Sequence, residues 1–222
     1  MSASLDWTYF WSIIPLFVKG FEMTIFLSLV CNGLSVVFSY LLISCLYCRI
    51  SIIKDLIKFY VSLIRNTPLL VQIFFFYFGM PEIGIRANSV TSGVIVLTLW
   101  ATAYQVANLR GAIDGLSPHL TETMRALGLR PVNAFIFIVV PVATRTVVPA
   151  MMNTMVSTIK NSALLSAIGV PELTFIAMDN IAENYRAIEN FVALLIGYLA
   201  IVLGFSAAMA GLERHLERGY RR

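Results

Sequence analysis

Charge is what this chain has least of. Asp, Glu, Lys and Arg make up 13% of its 222 residues and hydrophobic residues 59%, against roughly 25% charged and 45–50% apolar in a soluble domain. A soluble fold of this size cannot hide so much apolar surface, so the composition selects the bilayer as solvent. Histidine is nearly absent (His119 and His215), and the three cysteines, Cys31, Cys45 and Cys48, lie in or at the end of one apolar segment. The cysteines form no metal-ligand pattern with the two histidines, so they read as small hydrophobes. No G-x-x-x-x-G-K-[ST] or H-E-x-x-H stretch occurs, and the single C-x-x-C, Cys45 to Cys48, has no second one to pair with, so the chain is not expected to be an enzyme or to hydrolyse ATP through a Walker-type site of its own. No repeat, low-complexity stretch or linker divides it, and residues 1–222 read as one domain. The N-terminus carries Asp6 and Glu22 and no basic n-region, so a cleavable signal peptide is not expected. The net charge of +4 does not imply nucleic acid, because the basic residues sit at membrane edges.

What is present is a series of long apolar runs. They are continuous rather than alternating, which predicts an all-α integral membrane protein rather than a barrel. Five candidate spans of the required ~20 residues are Met23–Tyr47, Leu56–Met80, Val90–Leu109, Ala134–Ile168 and Phe191–Leu212. The second carries a polar interruption at Arg65-Asn66-Thr67. The fourth is too long for one straight span and is expected to break at Pro141 and Pro149. Residues 1–22, with Trp7, Tyr9, Phe10 and Trp11, read as an interfacial lead-in.

Basic residues set the orientation. With the C-terminus cytoplasmic and the N-terminus outside, the inner segments collect Arg49, Lys54, Lys58, Arg65, Arg110, Arg125, Arg130, Arg214, Arg218, Arg221 and Arg222, eleven of the 16. The outer segments collect Lys19, Arg86 and Arg186, and Arg145 and Lys160 fall inside the fourth run. That is a strong positive-inside bias. Glu172, Asp179, Glu183 and Glu189 gather in the last outer loop.

Between the third and fourth runs lies a polar, amphipathic segment over residues 117–130. Ser117 can cap a short helix beginning at Pro118, and Gly128 can end it in the left-handed conformation. Leu120, Met124 and Leu127 share one face, with Glu122 and Arg125 on the other. A capped helix on a membrane surface suits docking into a partner's groove.

The residues here also carry a resemblance. Glu122, Gly128 six positions on, Ile138 ten further and then Val140-Pro141 resemble the E-A-A-x-x-x-G-x9-I-x-L-P pattern of ABC importer permeases. Arg65-Asn66-Thr67-Pro68-Leu69-Leu70-Val71-Gln72 resembles the F-R-G-T-P-L-L-V-Q segment of the polar-amino-acid subfamily (histidine, glutamine, glutamate, arginine and opine type). Tyr77-Phe78-Gly79-Met80-Pro81, Arg110-Gly111-Ala112-Ile113 and Lys160-Asn161-Ser162-Ala163-Leu164 resemble its Y-F-G-L-P, R-G-A-I and K-D-[ST]-S-L. Thr123 and Met124 stand where the pattern has two alanines, and Ala107 where many members carry Glu. The resemblance implies a type I importer permease of about five spans, the transmembrane subunit of an ATP-driven amino-acid importer of the bacterial inner membrane. It implies that 117–130 is the coupling helix, with Glu122, Thr123, Met124, Arg125 and Gly128 meeting the ATPase. It also implies a dimer of cytoplasmic ABC ATPases carrying ATP and Mg, a second permease subunit (identical or homologous) and an extracytoplasmic amino-acid-binding protein. The chain itself would hold no cofactor. The rival is a stand-alone channel or secondary carrier not driven by ATP, which an inverted repeat would support.

Polar residues inside spans are functional candidates by default. Gln72, Gln105, Asn108, Arg145, Asn153, Lys160, Asn161 and Ser162 are the set. Asn153 and Lys160, seven apart, share a helical face and can donate to a substrate carboxylate. The substrate path is expected at Asn153, Lys160, Asn161, Ser162, Gln72 and Gln105. The bland alternatives are that Lys160 snorkels to the outer interface and that Asn153 bonds a neighbouring helix. Arg145 reads as structural.

Overall fold

The structure, a computed structural model, describes residues 5–47, 51–126 and 128–218; the side chains of 51, 118, 121, 122, 125, 131 and 212–218 lie outside that description. Among the described residues every regular element is helical. Among the described residues four helices are long and apolar enough to cross a membrane, and a bent pair passes the same test when its two halves are counted as one span.

Helix α1 runs unbroken from Trp7 to Leu46. At 1.5 Å per residue its 40 residues reach about 60 Å, well beyond a ~30 Å hydrocarbon core. The expected lead-in is therefore not a separate element. Asp6 caps the helix by accepting from the Thr8 and Tyr9 amides, and Pro15 is accommodated inside it. Phe10, Ile13 and Phe17 bury against α8 (Leu173–Asn184) and α9 (Ala187–Arg218), while Trp7 and Trp11 stay exposed, as interface aromatics do. This packing extends the helix through what looked like a lead-in. The segment expected to be the last outer loop holds α8, twelve residues packed between α1 and α9.

The second run is broken, as its polar interruption suggested. Helix α2 (Ser51–Arg65) meets α3 (Leu69–Phe74), whose helical path continues to Ile83, at an angle of 109°. Pro68 has no N–H for the carbonyl of Ile64. The Gln72 side-chain amide donates to that carbonyl instead (2.9 Å), and also to Thr67 O and Oγ1. Asn66 donates to Ser62 O and Thr67 to Leu63 O. The elbow thus satisfies its own freed acceptors, the condition for irregular backbone at membrane depth.

Helix α4 (Ser89–Asp114) is the centre of the bundle, packed against α1, α2 and α7 (Val140–Asn161). The expected break at Pro141 and Pro149 does not occur. The path from Val132 to Ile168 is one continuous helical run. A π-helical turn over Phe135–Val139 precedes Pro141, and Val140 N–H donates to Phe135 O, five residues back. Widening the turn by one residue is how the run passes a proline that cannot donate. Pro149 lies within α7, and Ser162–Ile168 tighten into a 3₁₀ turn ending at Gly169, φ 76°.

Three apolar clusters hold the bundle. One joins Leu27 and Cys31 to Ile73, Leu97, Trp100 and Leu165. Another joins Ile43 and Ile57 to Leu109, Val147 and Met151. The third is the α1–α8–α9 contact. Cys31 is buried and Cys45 half-buried, both free thiols, and Cys48 lies outside the described residues.

Candidate functional site: a polar cavity between α4 and α7, and a capped surface helix

Helices α4 and α7 are tied by amide side chains rather than by apolar contact alone. Gln105 is fully buried and donates to Met151 O at 3.2 Å. Asn108 donates to Ala150 O and to Thr154 Oγ1. From α1, the buried Asn32 donates to Met155 O at 3.3 Å. These donors aim at consecutive turns of one α7 face and set its register against α1 and α4. On the flank of this seam opens a cavity of about 560 Å³, lined by Trp100, Tyr104, Asn108, Asn153, Lys160 and Asn161, with Thr154 and Ser157. Trp100 and Tyr104 lie ring against ring, centroids 4.4 Å apart.

A second concavity of about 610 Å³ shares Tyr104 and continues between α2 and α4 to Arg110 and Asp114. Lys58, Ser62, Arg65 and Asn66 line its α2 side. The Arg65 guanidinium lies over the Tyr104 ring, 5.3 Å from its centroid, a cation–π distance. Tyr104 is ten residues from the end of α4, about 15 Å. Arg65, exposed to this concavity, thus sits beside the middle of α4.

Of the six residues expected on the substrate path, the structure brings three together. Asn153, Lys160 and Asn161 line the first cavity. Ser162 is buried and donates to Ile159 O, Gln105 ties α4 to α7, and Gln72 braces the α2–α3 elbow. Those three are engaged with backbone carbonyls and do not line the cavity. Lys160 lines the cavity together with Trp100, which sits in the middle of α4. The aromatic pair and Asn32 were missed on sequence. Asn32 alone had a signal, an amide in the middle of the first span; Trp100 and Tyr104 look like ordinary apolar span residues until α7 is placed.

The surface helix is α5, Pro118–Ala126. It follows Ser117, whose carbonyl accepts from Leu120 N. Gly128 takes φ 65°, the left-handed conformation that ends a helix, and Leu129 N–H reaches back to Met124 O. Met124 is buried and Thr123, exposed, donates to His119 O. The backbones of Glu122 and Arg125 belong to α5, their side chains lie outside the description, and Leu127 lies outside the described residues. The helix makes no extensive contact with the rest of the bundle among the described residues.

Comparison with known proteins places this architecture. The model of the family "Binding-protein-dependent transport system inner membrane component" matches residues 48–222. The chain is similar to the glutamine transport system permease protein GlnP of Escherichia coli (strain K12), 30% identical over 96% of this chain and 98% of that one. It is also similar to the probable amino-acid ABC transporter permease protein PatM of Vibrio harveyi, 29% identical over 98% of this chain and 99% of that protein. Among solved structures, the crystal structure of an amino acid ABC transporter with histidines superposes with a TM-score of 0.87 at 30% identity, covering 96% of this chain and 99% of that one. The methionine ABC transporter MetNI in an inward-facing conformation shares the fold, with a TM-score of 0.76 at 18% identity over 92% of this chain and 97% of that one. With all-helical spans, a capped surface helix and matches over nearly its whole length, this chain belongs to the family of binding-protein-dependent transport system inner membrane components, the permease subunits of ABC importers.

Proposed function

We propose that this chain is the transmembrane subunit of an ATP-driven amino-acid importer and that the α4–α7 cavity lies on its translocation path. The observation that carries the reading is the pairing, in one family member, of a polar cavity with a short capped helix between α4 and the run that contains α7. An amino acid needs donors for its carboxylate and acceptors for its ammonium. Lys160 and the amides of Asn108, Asn153 and Asn161 supply both kinds.

The partners follow from the same reading. A cytoplasmic ATPase dimer carries ATP and Mg and receives α5 through Glu122, Thr123, Met124, Arg125 and the turn at Gly128. A second permease subunit, identical or homologous, completes the pore, and an extracytoplasmic binding protein delivers the amino acid. The N-terminus lies outside and the C-terminus in the cytoplasm. ATP binding closes the ATPase dimer, α5 moves with it, and the Val132–Ile168 run that contains α7, joined to α5 by a short turn, shifts against α4. The ATPase drives this only through its different affinity for the two states. The test is ATP hydrolysis by the reconstituted complex with its binding protein, challenged with a panel of amino acids. Stimulation by at least one of them is expected, and flat hydrolysis across the whole panel contradicts the reading.

A further inference from the structure

We infer that the α4–α7 cavity selects its amino acid by side-chain charge, preferring anionic over neutral and excluding cationic ones; this rests on the reading of the chain as an amino-acid permease. The six side chains that define the cavity, Trp100, Tyr104, Asn108, Asn153, Lys160 and Asn161, include one cation and no carboxylate. Lys160 is exposed to the cavity and has no ion-pair partner among the described residues. The way onward has the same sign. Beyond Tyr104 the second concavity adds Lys58, Arg65 and Arg110; Arg110 lies 3.4 Å from Asp114 and Lys58 3.5 Å from Asp55, which leaves Arg65, over the Tyr104 ring, as the uncompensated cation among the described residues.

Every amino acid brings the same α-ammonium and α-carboxylate. The ammonium can be received by amide oxygens and by the faces of Trp100 and Tyr104, and the carboxylate by Lys160. The side chain then decides. A second carboxylate finds amide donors and a net positive field on both sides of Tyr104, where charge-assisted hydrogen bonds are strong. A guanidinium or ammonium finds no carboxylate in the first cavity and meets like charge at Lys160 and at Arg65. A cation stripped of water without a partner is heavily penalised.

The experiment separates this selectivity from that of the binding protein. The purified permease–ATPase complex, without binding protein, is titrated with radiolabelled L-glutamate, L-glutamine and L-arginine at equilibrium. Wild type is expected to bind glutamate tighter than glutamine, and arginine at least about tenfold more weakly than glutamate. Lys160→Met should weaken glutamate about ten- to a hundredfold, the scale of one charge-assisted hydrogen bond, and Lys160→Glu should bring arginine above glutamate. Should either variant fail to assemble, Arg65→Gln and the wild-type order still decide. Arginine bound as tightly as glutamate by wild type overturns the charge rule and leaves the amino-acid reading standing. An unchanged glutamate-to-arginine ratio in every assembled variant overturns it as well. No binding of any of the three, with no stimulation of ATP hydrolysis across the amino-acid panel, overturns both.

Discussion

Two glycines of the same helix should answer substitution in opposite ways. A Cβ on Gly20 would lie 2.9 Å from Ile176 Cγ1, 3.1 Å from Leu173 Cα and 3.2 Å from the Glu172 carbonyl carbon. Ile176 Cγ1 sits one bond from a branched Cβ and has little freedom to move, and the other two are backbone of the turn entering α8. That turn is held where it is: Leu173 N–H donates to Thr24 Oγ1 on α1, and Glu172 caps α8 through Phe175 N. Overpacking of this kind costs about 1–3 kcal/mol. Gly20→Ala recovers about 1 kcal/mol of helix propensity, for a net loss of about 0–2. Gly20→Val presses two more carbons on the same backbone with less propensity to recover, and is expected to cost about 2–3 kcal/mol. A Cβ on Gly33, by contrast, meets nothing within 4 Å. Gly33→Ala should be neutral or stabilise by about 0.5–1 kcal/mol. Thermal denaturation of the purified complex orders the variants. Equal melting of Gly20→Val and Gly33→Ala would refute the close approach of α1 to the α8 turn.

Three further outcomes are expected. Gly128 has open space around it but φ 65°, so the penalty there is conformational: Gly128→Asn should keep ATP-driven uptake, while Gly128→Val, and independently Glu122→Lys, should leave the protein inserted but lower uptake per ATP hydrolysed; normal coupling in both damaging variants removes the docking role. Cysteines placed near Arg125 and Arg218 should react only from the cytoplasmic side and one near Glu183 only from outside; labelling near Arg125 by an impermeant reagent on intact cells overturns the orientation. Asp6 is held below the usual carboxylate range by its bond from Tyr9 N–H and its pairing with Arg186 at 2.7 Å. A depressed carboxyl stabilises above its unfolded value and loses that contribution as pH falls through the folded value. Amide protection in the first turn of α1, measured against the intrinsic exchange rate at each pH, should therefore fall at acid pH in wild type and be low at all pH in Asp6→Ala; protection that does not change with acid contradicts the cap.

The spans were legible because apolar length is a one-dimensional property, and bilayer thickness sets it. The surface helix was legible because its punctuation is local: Ser117-Pro118 opens it and Gly128 closes it. What escaped was whatever another helix decides. Pro141 and Pro149 predict breaks on local rules, yet a π-helical turn carries the run past Pro141, a choice made by the helices packed around it. The aromatic lead-in became the first four turns of α1 because α8 and α9 cover it. Among the polar residues, the sequence marks Gln72, Gln105 and Ser162 as strongly as Asn153 and Lys160. Only the fold shows that the first three serve backbone carbonyls while the other two face a cavity. Asn153 and Lys160 share a face by spacing alone, but which neighbour that face meets is a tertiary fact, and so Tyr104 and Trp100 had no signal.

The central claim, that this chain imports amino acids with energy from a partner ATPase, is tested most directly in proteoliposomes. The complex is reconstituted with its binding protein on the side of the chain's N-terminus and ATP with Mg on the other. The account predicts that uptake of the cognate amino acid against its gradient requires ATP and hydrolysis, and persists when ion gradients are collapsed. Uptake that proceeds without ATP, driven by a proton or sodium gradient, would contradict it.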